Sequence, residues 1–327
     1  MSMRELRGRT VVVTGASSGI GMATARAFAR AGANVVLLAR RSAALERLAA
    51  ECSRFGVRAL AVPTDVTDAD AVRAAAARAS RLNGRIDVWV NDAGIGAVGE
   101  FTKTPIEAHD QVILTNLVGY LHGAHAVLPY FQRQPTGGVL INVNSFGGWV
   151  PAPLASAYTA TKFGLRGLSE SLRAELLDYA RIHICDVFPS FIDTPGVQHA
   201  GNYTGRDLKP APPVYSPEQV ADTIVELARR PRDAATVGVV ATVARLGYAV
   251  MPSFGRWVMR RFINTYLRQA EPSPVTSGNV FRPTAIGRSA RGGWRAPGKR
   301  AAAAVGGSLL LLLVAGIAYQ QMEVRED

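Results

Sequence analysis

The 327-residue chain has few of the residues that mark secreted or metal-binding proteins. It contains two cysteines, Cys52 and Cys185, and no CxxC pair. This count excludes a disulfide framework and fits a reducing compartment. The first ten residues are polar and basic and lack the apolar run of a secretory signal. His122 and His125 lie three positions apart without a third ligand nearby, so we expect no metal site.

Acidic residues are scarce in one part of the chain. Residues 1–244 carry 25 Lys and Arg against 21 Asp and Glu, whereas residues 245–300 carry 11 against one. The basic excess therefore lies beyond residue 244, where it favours an anionic partner such as a lipid surface or a nucleic acid. No recognisable DNA- or RNA-binding module accompanies it, so we expect no nucleic-acid partner.

A strand, a glycine turn and a helix follow one another near the N-terminus. The apolar run in Arg9–Thr14 leads into GASSGIG at 15–21, and an alanine-rich helix is predicted over Met22–Ala31. Glycines let the backbone approach a pyrophosphate, and a helix N-terminus offers free N–H groups. The order therefore predicts a nucleotide site. Its predicted members are Gly15, Ser17, Ser18, Gly19, Ile20 and Gly21.

Apolar runs and helical patterns alternate along the chain, and the last of these runs predicts a seventh strand over Thr236–Ala241. This alternation predicts an α/β fold with a doubly wound, seven-stranded parallel sheet of the Rossmann type, and a ligand at the carboxyl ends of the strands. The second strand, Asn34–Ala39, ends in Arg40-Arg41 and not in an acid, which favours NADP(H) over NAD(H). The alternative is that both arginines cap a solvated loop. Asp65 follows the third strand and is either an adenine ligand or a turn residue.

Three residues between positions 145 and 162 suit carbonyl and alcohol chemistry. Tyr158 and Lys162 are four apart, so on a helix they share a face. We expect the ammonium to lower the pKa of the phenol, which could then exchange a proton near neutral pH. Ser145 could hold the same substrate oxygen, while the hydride must come from a cofactor.

The segment after the sixth strand is rich in Pro, Gly and aromatic residues and is typical of a mobile flap over a site. Phe191, Tyr203 and Tyr215 in this segment either line an apolar substrate pocket or pack as ordinary loop residues.

Residues 245–327 form an appendage of three predicted parts. Residues 245–270 show apolar residues at helical spacing opposite arginines, which indicates a basic amphipathic helix on a membrane surface or, alternatively, one packed on the domain or a partner subunit. Residues 271–300 are predicted to be a flexible basic linker. Residues 301–319 carry no charge and are long enough for a C-terminal transmembrane anchor, with a buried or oligomerising helix as the alternative.

The positive charge before this segment would keep the catalytic domain on the cytoplasmic side of the membrane. The alternative is a protein that is cytoplasmic throughout.

Several motifs are spread along the chain: TGASSGIG at 14–21, NDAG at 91–94, Asn116, Ser145, Tyr158 and Lys162. Taken together, these motifs resemble the short-chain dehydrogenase/reductase family. The resemblance covers about residues 8–244 and implies a single Rossmann-type catalytic domain, 1–244. It departs from the family pattern at Asp92, where an asparagine is usual, and at Ser190, where a glycine is usual.

The resemblance implies a role for each matching residue. Tyr158 would be the general acid/base, Lys162 would bind the nicotinamide ribose and lower the pKa of Tyr158, and Ser145 would orient the carbonyl. Asn116 would hold a water in a proton relay, and Arg40 would select NADP(H). The other cofactor-binding residues that it implies are Asp65, Val66, Asn91, Ala93, Gly94, Pro189, Ile192 and Thr194. Members commonly form dimers or tetramers, which implies a homodimer or homotetramer here.

Two functions from different classes follow. The first is an NADP(H)-dependent oxidoreductase that interconverts a carbonyl and an alcohol, with a lipophilic substrate if the protein lies at a membrane. The second is a catalytically idle scaffold that senses NADP(H) and recruits partners. The intact Ser145, Tyr158 and Lys162 favour the enzyme, because a scaffold has no need of them.

Overall fold

A computed structural model of the protein describes residues 5–284, 287 and 289–295. The predicted membrane anchor at 301–319 lies outside the described residues.

Seven parallel strands form the central sheet, in the order β3-β2-β1-β4-β5-β6-β7. The order reverses between β1 and β4, which places the ligand-binding crevice at the carboxyl ends of these strands. The prediction of a doubly wound seven-stranded sheet is confirmed. The strands are β1 Thr10–Thr14, β2 Asn34–Ala39, β3 Ala59–Pro63, β4 Val88–Asn91, β5 Gly138–Val143, β6 Ile182–Pro189 and β7 Ala234–Val237.

Helices cover both faces of the sheet. Alternate residues of a strand point to opposite faces: Val11 and Val13 pack against α1, α2 and α6, whereas Val12 packs against α3, α4 and α5. Because both faces are covered, β1, β5 and most of β2 are fully buried, which explains their continuous apolar runs. The helices are α1 Gly19–Arg30, α2 Ser42–Ser53, α3 Ala69–Asn83, α4 Ile106–Arg133, α5 Ser156–Glu175, α6 Pro217–Arg229, α7 Val239–Val250 and α8 Pro252–Gln269.

The long helix α4 has one irregular turn. Residues Leu114–Val118 widen into a π-helical turn that contains Asn116, and the α-helix resumes at Gly119. By length and composition α4 is the one described helix that could span a membrane, but half of its most apolar stretch is buried inside the domain. That burial is the property of a core helix.

The C-terminal part of the domain differs from the prediction. A strand was expected over Thr236–Ala241, but β7 ends at Val237 and α7 begins two residues later. The expected domain boundary at residue 244 therefore falls inside α7. Pro252 starts a separate helix, α8, because proline has no N–H to continue the ladder of α7 and is favoured in the first turn of a helix.

Candidate active site

The glycine turn is held against the end of β4. Gly15 has a φ of +70°, and a side-chain carbon on it would lie 2.9 Å from the backbone of Ala93, so the conformation and the close contact both require glycine. The Thr14 hydroxyl accepts hydrogen bonds from the N–H groups of Asp92 and Ala93, at 2.9 and 3.1 Å. The turn therefore delivers the N-terminus of α1 to the crevice.

A cavity of about 550 Å³ starts at this turn and continues along the carboxyl ends of the strands. Its volume is in the range of small-molecule and cofactor sites. Most of the predicted site residues line it. They are Gly15, Ser17, Ser18, Gly19, Ile20, Arg40, Asp65, Val66, Ala93, Gly94, Ser145, Tyr158, Lys162, Pro189, Ile192 and Thr194.

Two predicted cofactor residues, Gly21 and Asn91, do not line the cavity. A side-chain carbon on Gly21 would lie 2.6 Å from the Gly15 carbonyl oxygen, so this glycine lets α1 approach the turn. Asn91 is 1% exposed, and its side chain faces the core. It accepts from the Trp89 indole at 2.8 Å and donates to Asn142 at 3.0 Å. The side chain therefore lies inside the sheet, and the predicted place of Asn91 beside the cofactor stays a prediction.

Asn116 is also fully buried and does not line the cavity. Its amide donates to the Ile95 carbonyl and accepts from the Ile95 N–H, both at 2.8 Å. These two bonds tie the π turn of α4 to the loop after β4, because a buried amide must satisfy both its donor and its acceptor. The side chain thus positions that loop, and the water-holding role stays a prediction.

Ser145, Tyr158 and Lys162 converge at the centre of the cavity. Ser145 ends the loop after β5, and its Oγ accepts from the Gly147 N–H at 3.0 Å and also pairs with Tyr158. Lys162 lies one turn after Tyr158 on α5, with its Nζ 5.6 Å from the centre of the phenol ring. The same Nζ donates to the Val143 carbonyl at 3.0 Å.

Burial controls the ionisation of this group. It raises the pKa of Tyr158, which the Asp92 charge raises further and the hydrogen bond to Ser145 lowers. Burial also lowers the pKa of Lys162 to about 8, against the attraction of Asp92 and Asp186. The pKa of Tyr158 is therefore raised and not lowered as predicted, because desolvation is the largest influence on it. The phenol is protonated at neutral pH.

One positioning residue was missed from the sequence. Asn144, at the end of β5, accepts from the Ser145 N–H at 2.9 Å and donates to the Lys162 carbonyl at 3.2 Å. It thereby fixes the loop of Ser145 against the helix of Lys162. The signal that could have identified Asn144 is its place as a polar residue directly after a buried strand.

A buried chain of polar side chains runs beneath the site. Asn142 donates to Ser169 at 3.1 Å, Ser169 donates to Asp186 at 2.8 Å, and Arg173 completes the chain by donating to Asp186 at 2.5 Å. With Asn91, these residues link β4, β5, β6 and α5. Burial raises the pKa of Asp186 to about 6, although Arg173 and Ser169 both stabilise its charged form.

Arg40 and Arg41 are half-buried at the end of β2. Arg40 lines the cavity and donates to the Asn279 carbonyl at 3.1 Å. Arg41 donates to the Ser17 hydroxyl at 3.0 Å, so it braces the glycine turn. Asp65 lines the cavity too, and its carboxylate closes a turn by accepting from the Thr67 N–H at 3.0 Å.

The opposite end of the cavity is apolar. Phe191 lines it and contacts Phe146 at 5.2 Å between ring centres. Tyr203 and Tyr215, the other aromatics of the segment, do not line it. The wall is completed by four residues of α8: Met259, Phe262, Ile263 and Tyr266.

Residues 271–295 were predicted as part of a flexible linker, and their described part differs. It packs back on the domain: Val280 is fully buried, and backbone bridges join Thr276 to Asn202 and Pro272 to Arg206. The composition that indicated flexibility did not reveal these long-range contacts. No cluster of three or more potential metal ligands occurs within the described ranges.

This geometry defines a class of protein. A doubly wound parallel sheet, a glycine turn at the first strand and a Ser, Tyr and Lys group at the crevice are the frame of a nicotinamide-dependent oxidoreductase. The chain matches the short chain dehydrogenase family over residues 9–203, and it belongs to that family.

Similar proteins agree with this assignment. The chain is 33% identical over 302 residues to the oxidoreductase YxnA of Bacillus subtilis, covering 90% of this chain and 84% of that protein. It is 38% identical over 195 residues to the oxidoreductase UcpA of Escherichia coli, covering 59% and 73%. An alcohol dehydrogenase of Thermococcus sibiricus, solved with 5-hydroxy-NADP, superposes with a TM-score of 0.62 at 27% identity over 71% of this chain and 96% of that one. The protein is thus an oxidoreductase of Rossmann fold, and these similarities support a nicotinamide cofactor.

Proposed function

We propose that the protein is an NADP(H)-dependent oxidoreductase that interconverts a ketone or aldehyde and an alcohol of a lipophilic substrate. The observation that carries the proposal is the convergence of Ser145, Tyr158 and Lys162 on the same cavity that the glycine turn lines. Neither part alone specifies the chemistry: the turn binds a nucleotide, and the trio needs a hydride from elsewhere.

The cavity suits a dinucleotide. The glycine turn and the N-terminus of α1 both line the cavity, where backbone N–H groups would bind a pyrophosphate. Arg40 and Arg41 supply positive charge at the end of β2, which favours a ribose 2′-phosphate and hence NADP(H). Lys162 would hold the nicotinamide ribose. A nicotinamide supplies or accepts the hydride when it is bound.

Tyr158 is suited to donate a proton. Its raised pKa keeps the phenol protonated at neutral pH, so it can donate to the oxygen of a carbonyl as negative charge develops there. The Ser145 hydroxyl, which pairs with Tyr158, lies where it would hold the same oxygen. Lys162 remains largely cationic below its pKa of about 8 and would support the phenolate that is left.

The far wall of the cavity favours an apolar substrate. Phe146 and Phe191 cover one side, and the partly buried face of α8 covers the other. Apolar walls with a few polar groups at one end select a lipophilic molecule that carries a single reactive oxygen.

The outer surface of α7 and α8 suits an anionic membrane, and we include this surface in the proposal. Val239, Leu246 and Val250 form an exposed apolar stripe on α7 with exposures of 71, 62 and 77%. Trp257 on α8 is 55% exposed. Residues 245–270 contain five arginines and no acid. Exposed apolar and aromatic side chains beside cationic ones are typical of a helix on an anionic lipid surface.

Turnover tests the enzymatic proposal. The full chain would be assayed by NADPH absorbance against hydrophobic ketones and aldehydes, with NADH in parallel. Tyr158→Phe should abolish turnover and retain NADPH binding, whereas Tyr179→Phe, a matched change at an exposed tyrosine, should leave turnover unchanged. NADPH binding without turnover on any carbonyl would favour the scaffold function.

A second variant tests the choice of cofactor. Arg40→Ala should weaken NADPH binding more than tenfold and NADH binding little. Equal effects on both would contradict the NADP(H) assignment.

Fluorescence tests the membrane surface. The full chain would be mixed with vesicles of phosphatidylcholine and phosphatidylglycerol that carry brominated acyl chains, which quench nearby tryptophans. We expect quenching that needs the anionic lipid, weakens with salt and is lost in Trp257→Phe but kept in Trp294→Phe. Quenching that is lost only in Trp294→Phe would show that the membrane contact lies away from α7 and α8. A salt-sensitive dimer without quenching would assign the surface of α7 and α8 to a second copy of the chain.

A further inference from the structure

Two described segments, 271–284 and 289–295, lie along the crevice, and together they are called the strap. In the sequence, the strap follows the region that matches the family, residues 9–203. The first part is fixed to the domain by the bridges at Pro272 and Thr276 and by Val280, which packs in an apolar cluster with Ile95. The strap therefore begins as an ordered part of the catalytic domain.

The middle of the strap contacts the residues expected to hold a dinucleotide. The Asn279 carbonyl accepts from Arg40 at 3.1 Å, and the Thr284 carbonyl accepts from Arg41 at 3.4 Å. Asn279 and Thr284 also line the cavity, as does Pro283. The strap is thus one wall of the cavity on its adenosine side.

The strap also reaches the N-terminus of α1. The Ser289 carbonyl accepts from the Gly19 N–H at 3.0 Å. Gly19 is the first residue of α1, where free N–H groups favour an anion. A phosphate oxygen is a stronger acceptor than a peptide carbonyl. A phosphate at this position would therefore compete with Ser289 for the same donor.

The far end of the strap is anchored across the cavity. The Asp193 carboxylate accepts from the Gly292 and Trp294 N–H groups at 3.1 and 2.8 Å. The Trp294 indole donates to the Thr194 carbonyl at 3.0 Å, and Arg291 pairs with Glu218 at 3.1 Å. The strap is therefore anchored to the domain at both of its ends.

We propose that the strap gates the exchange of the dinucleotide, so that cofactor enters and leaves only when the strap releases the crevice. The inference rests on the proposed function for the identity of the ligand. It adds that a segment outside the family region controls the rates of cofactor binding and release.

A cross-link tests the gate directly. Glu218→Cys with Arg291→Cys would be joined by a flexible bismaleimide. The native Cys52 and Cys185 are buried, and burial raises their thiol pKa to about 11 and about 12, so they should not react. We expect NADPH association and dissociation, followed by stopped-flow fluorescence, to slow at least tenfold. The control is the same variant treated with N-ethylmaleimide, which removes the ion pair without making a link.

A second pair of variants loosens the strap. Gly278 has a φ of +52°, and a side-chain carbon there would lie 2.2 Å from the His199 carbonyl oxygen, whereas one at Gly293, φ +83°, would contact nothing within 4 Å. Gly278→Ala should speed NADPH release several-fold relative to Gly293→Ala. In the cofactor-free protein it should also speed amide hydrogen exchange at Gly19, which the strap protects.

The outcomes separate the two proposals. NADPH rates that are equal in the linked and unlinked protein, with Gly19 exchange unchanged by Gly278→Ala, would overturn the gate and leave the oxidoreductase proposal intact. A parent chain that binds no NADPH would overturn both.

Discussion

Replacing Asp92 by asparagine should stabilise the ligand-free protein, and more so as the pH rises. Asp92 lines the cavity and accepts from the Gly21 N–H, and the charge of Lys162 favours its ionised form. Burial outweighs both interactions and raises the pKa of Asp92 from 3.8 to about 8. Between these values the folded protein binds a proton that the unfolded chain does not, so stability falls as the pH rises.

The size of the effect follows from that pKa difference. Each unit corresponds to about 1.4 kcal/mol, so the cost of keeping this acid in the fold reaches about 4 kcal/mol at pH 7 and levels off above pH 8. Asp92 lines the cavity and is partly exposed, so solvent screening should reduce this to about 2 kcal/mol. Asparagine keeps an acceptor for Gly21 and cannot ionise, so Asp92→Asn should remove the cost.

Thermal unfolding of the ligand-free chain between pH 5 and 8.5 measures the effect. We expect the melting temperature of Asp92→Asn to exceed that of the parent by about 4 °C or more at pH 7, with the gap smaller at pH 5. Asp87→Asn is a matched control of opposite sign, because the Asp87 carboxylate accepts from the Thr10 N–H at 2.9 Å and pairs with Arg9 at 3.0 Å. A gap for Asp92→Asn that does not change with pH would refute the argument that the carboxyl is held protonated.

Three further predictions concern the site and its support. Because burial raises the pKa of Tyr158, carbonyl reduction should persist through neutral pH and fall in alkali while alcohol oxidation rises; parallel pH profiles in both directions would contradict this. Asn142→Leu should cost about 2–4 kcal/mol in urea unfolding, because it leaves Asn91 and Ser169 with unpaired groups in the core; a loss below 1 kcal/mol would show that these groups find other partners. Gly15→Ala should abolish NADPH binding, since the new carbon would lie 2.9 Å from backbone atoms at a positive φ; unchanged affinity by titration would contradict the close contact.

Much of the site could be predicted because its signals are local. The glycine turn is a run of adjacent residues between a buried strand and a helix, so its place in the crevice follows from chain order alone. Tyr158 and Lys162 are one helical turn apart, which fixes their common face as soon as α5 forms. Ser145 follows a buried strand, and parallel strands bring their carboxyl ends to the same edge of a sheet.

Other features could not be predicted because they depend on contacts between distant residues. Asn91 follows the same strand edge but turns into the core, because Trp89 and Asn142 offer partners that only the neighbouring strands bring near. Asn116, in the π turn, bonds to Ile95, which lies 21 residues earlier in the chain. The pKa of Tyr158 was expected to be lowered but is raised. The spacing of charges along a helix does not show how far a side chain is desolvated.

The sequence by itself determined the order of strands and helices, the turn that faces the nucleotide and the residues of the reacting group. These depend on periodicity and on contacts within a few residues. Only the tertiary structure decided that the described part of residues 271–295 returns to the crevice, that α8 forms a wall of the cavity and that burial controls the ionisation of Tyr158, Lys162 and Asp92. Each of these features depends on contacts between residues far apart in the chain and on the exclusion of water by those contacts. Local sequence patterns predict neither the contacts nor the exclusion of water.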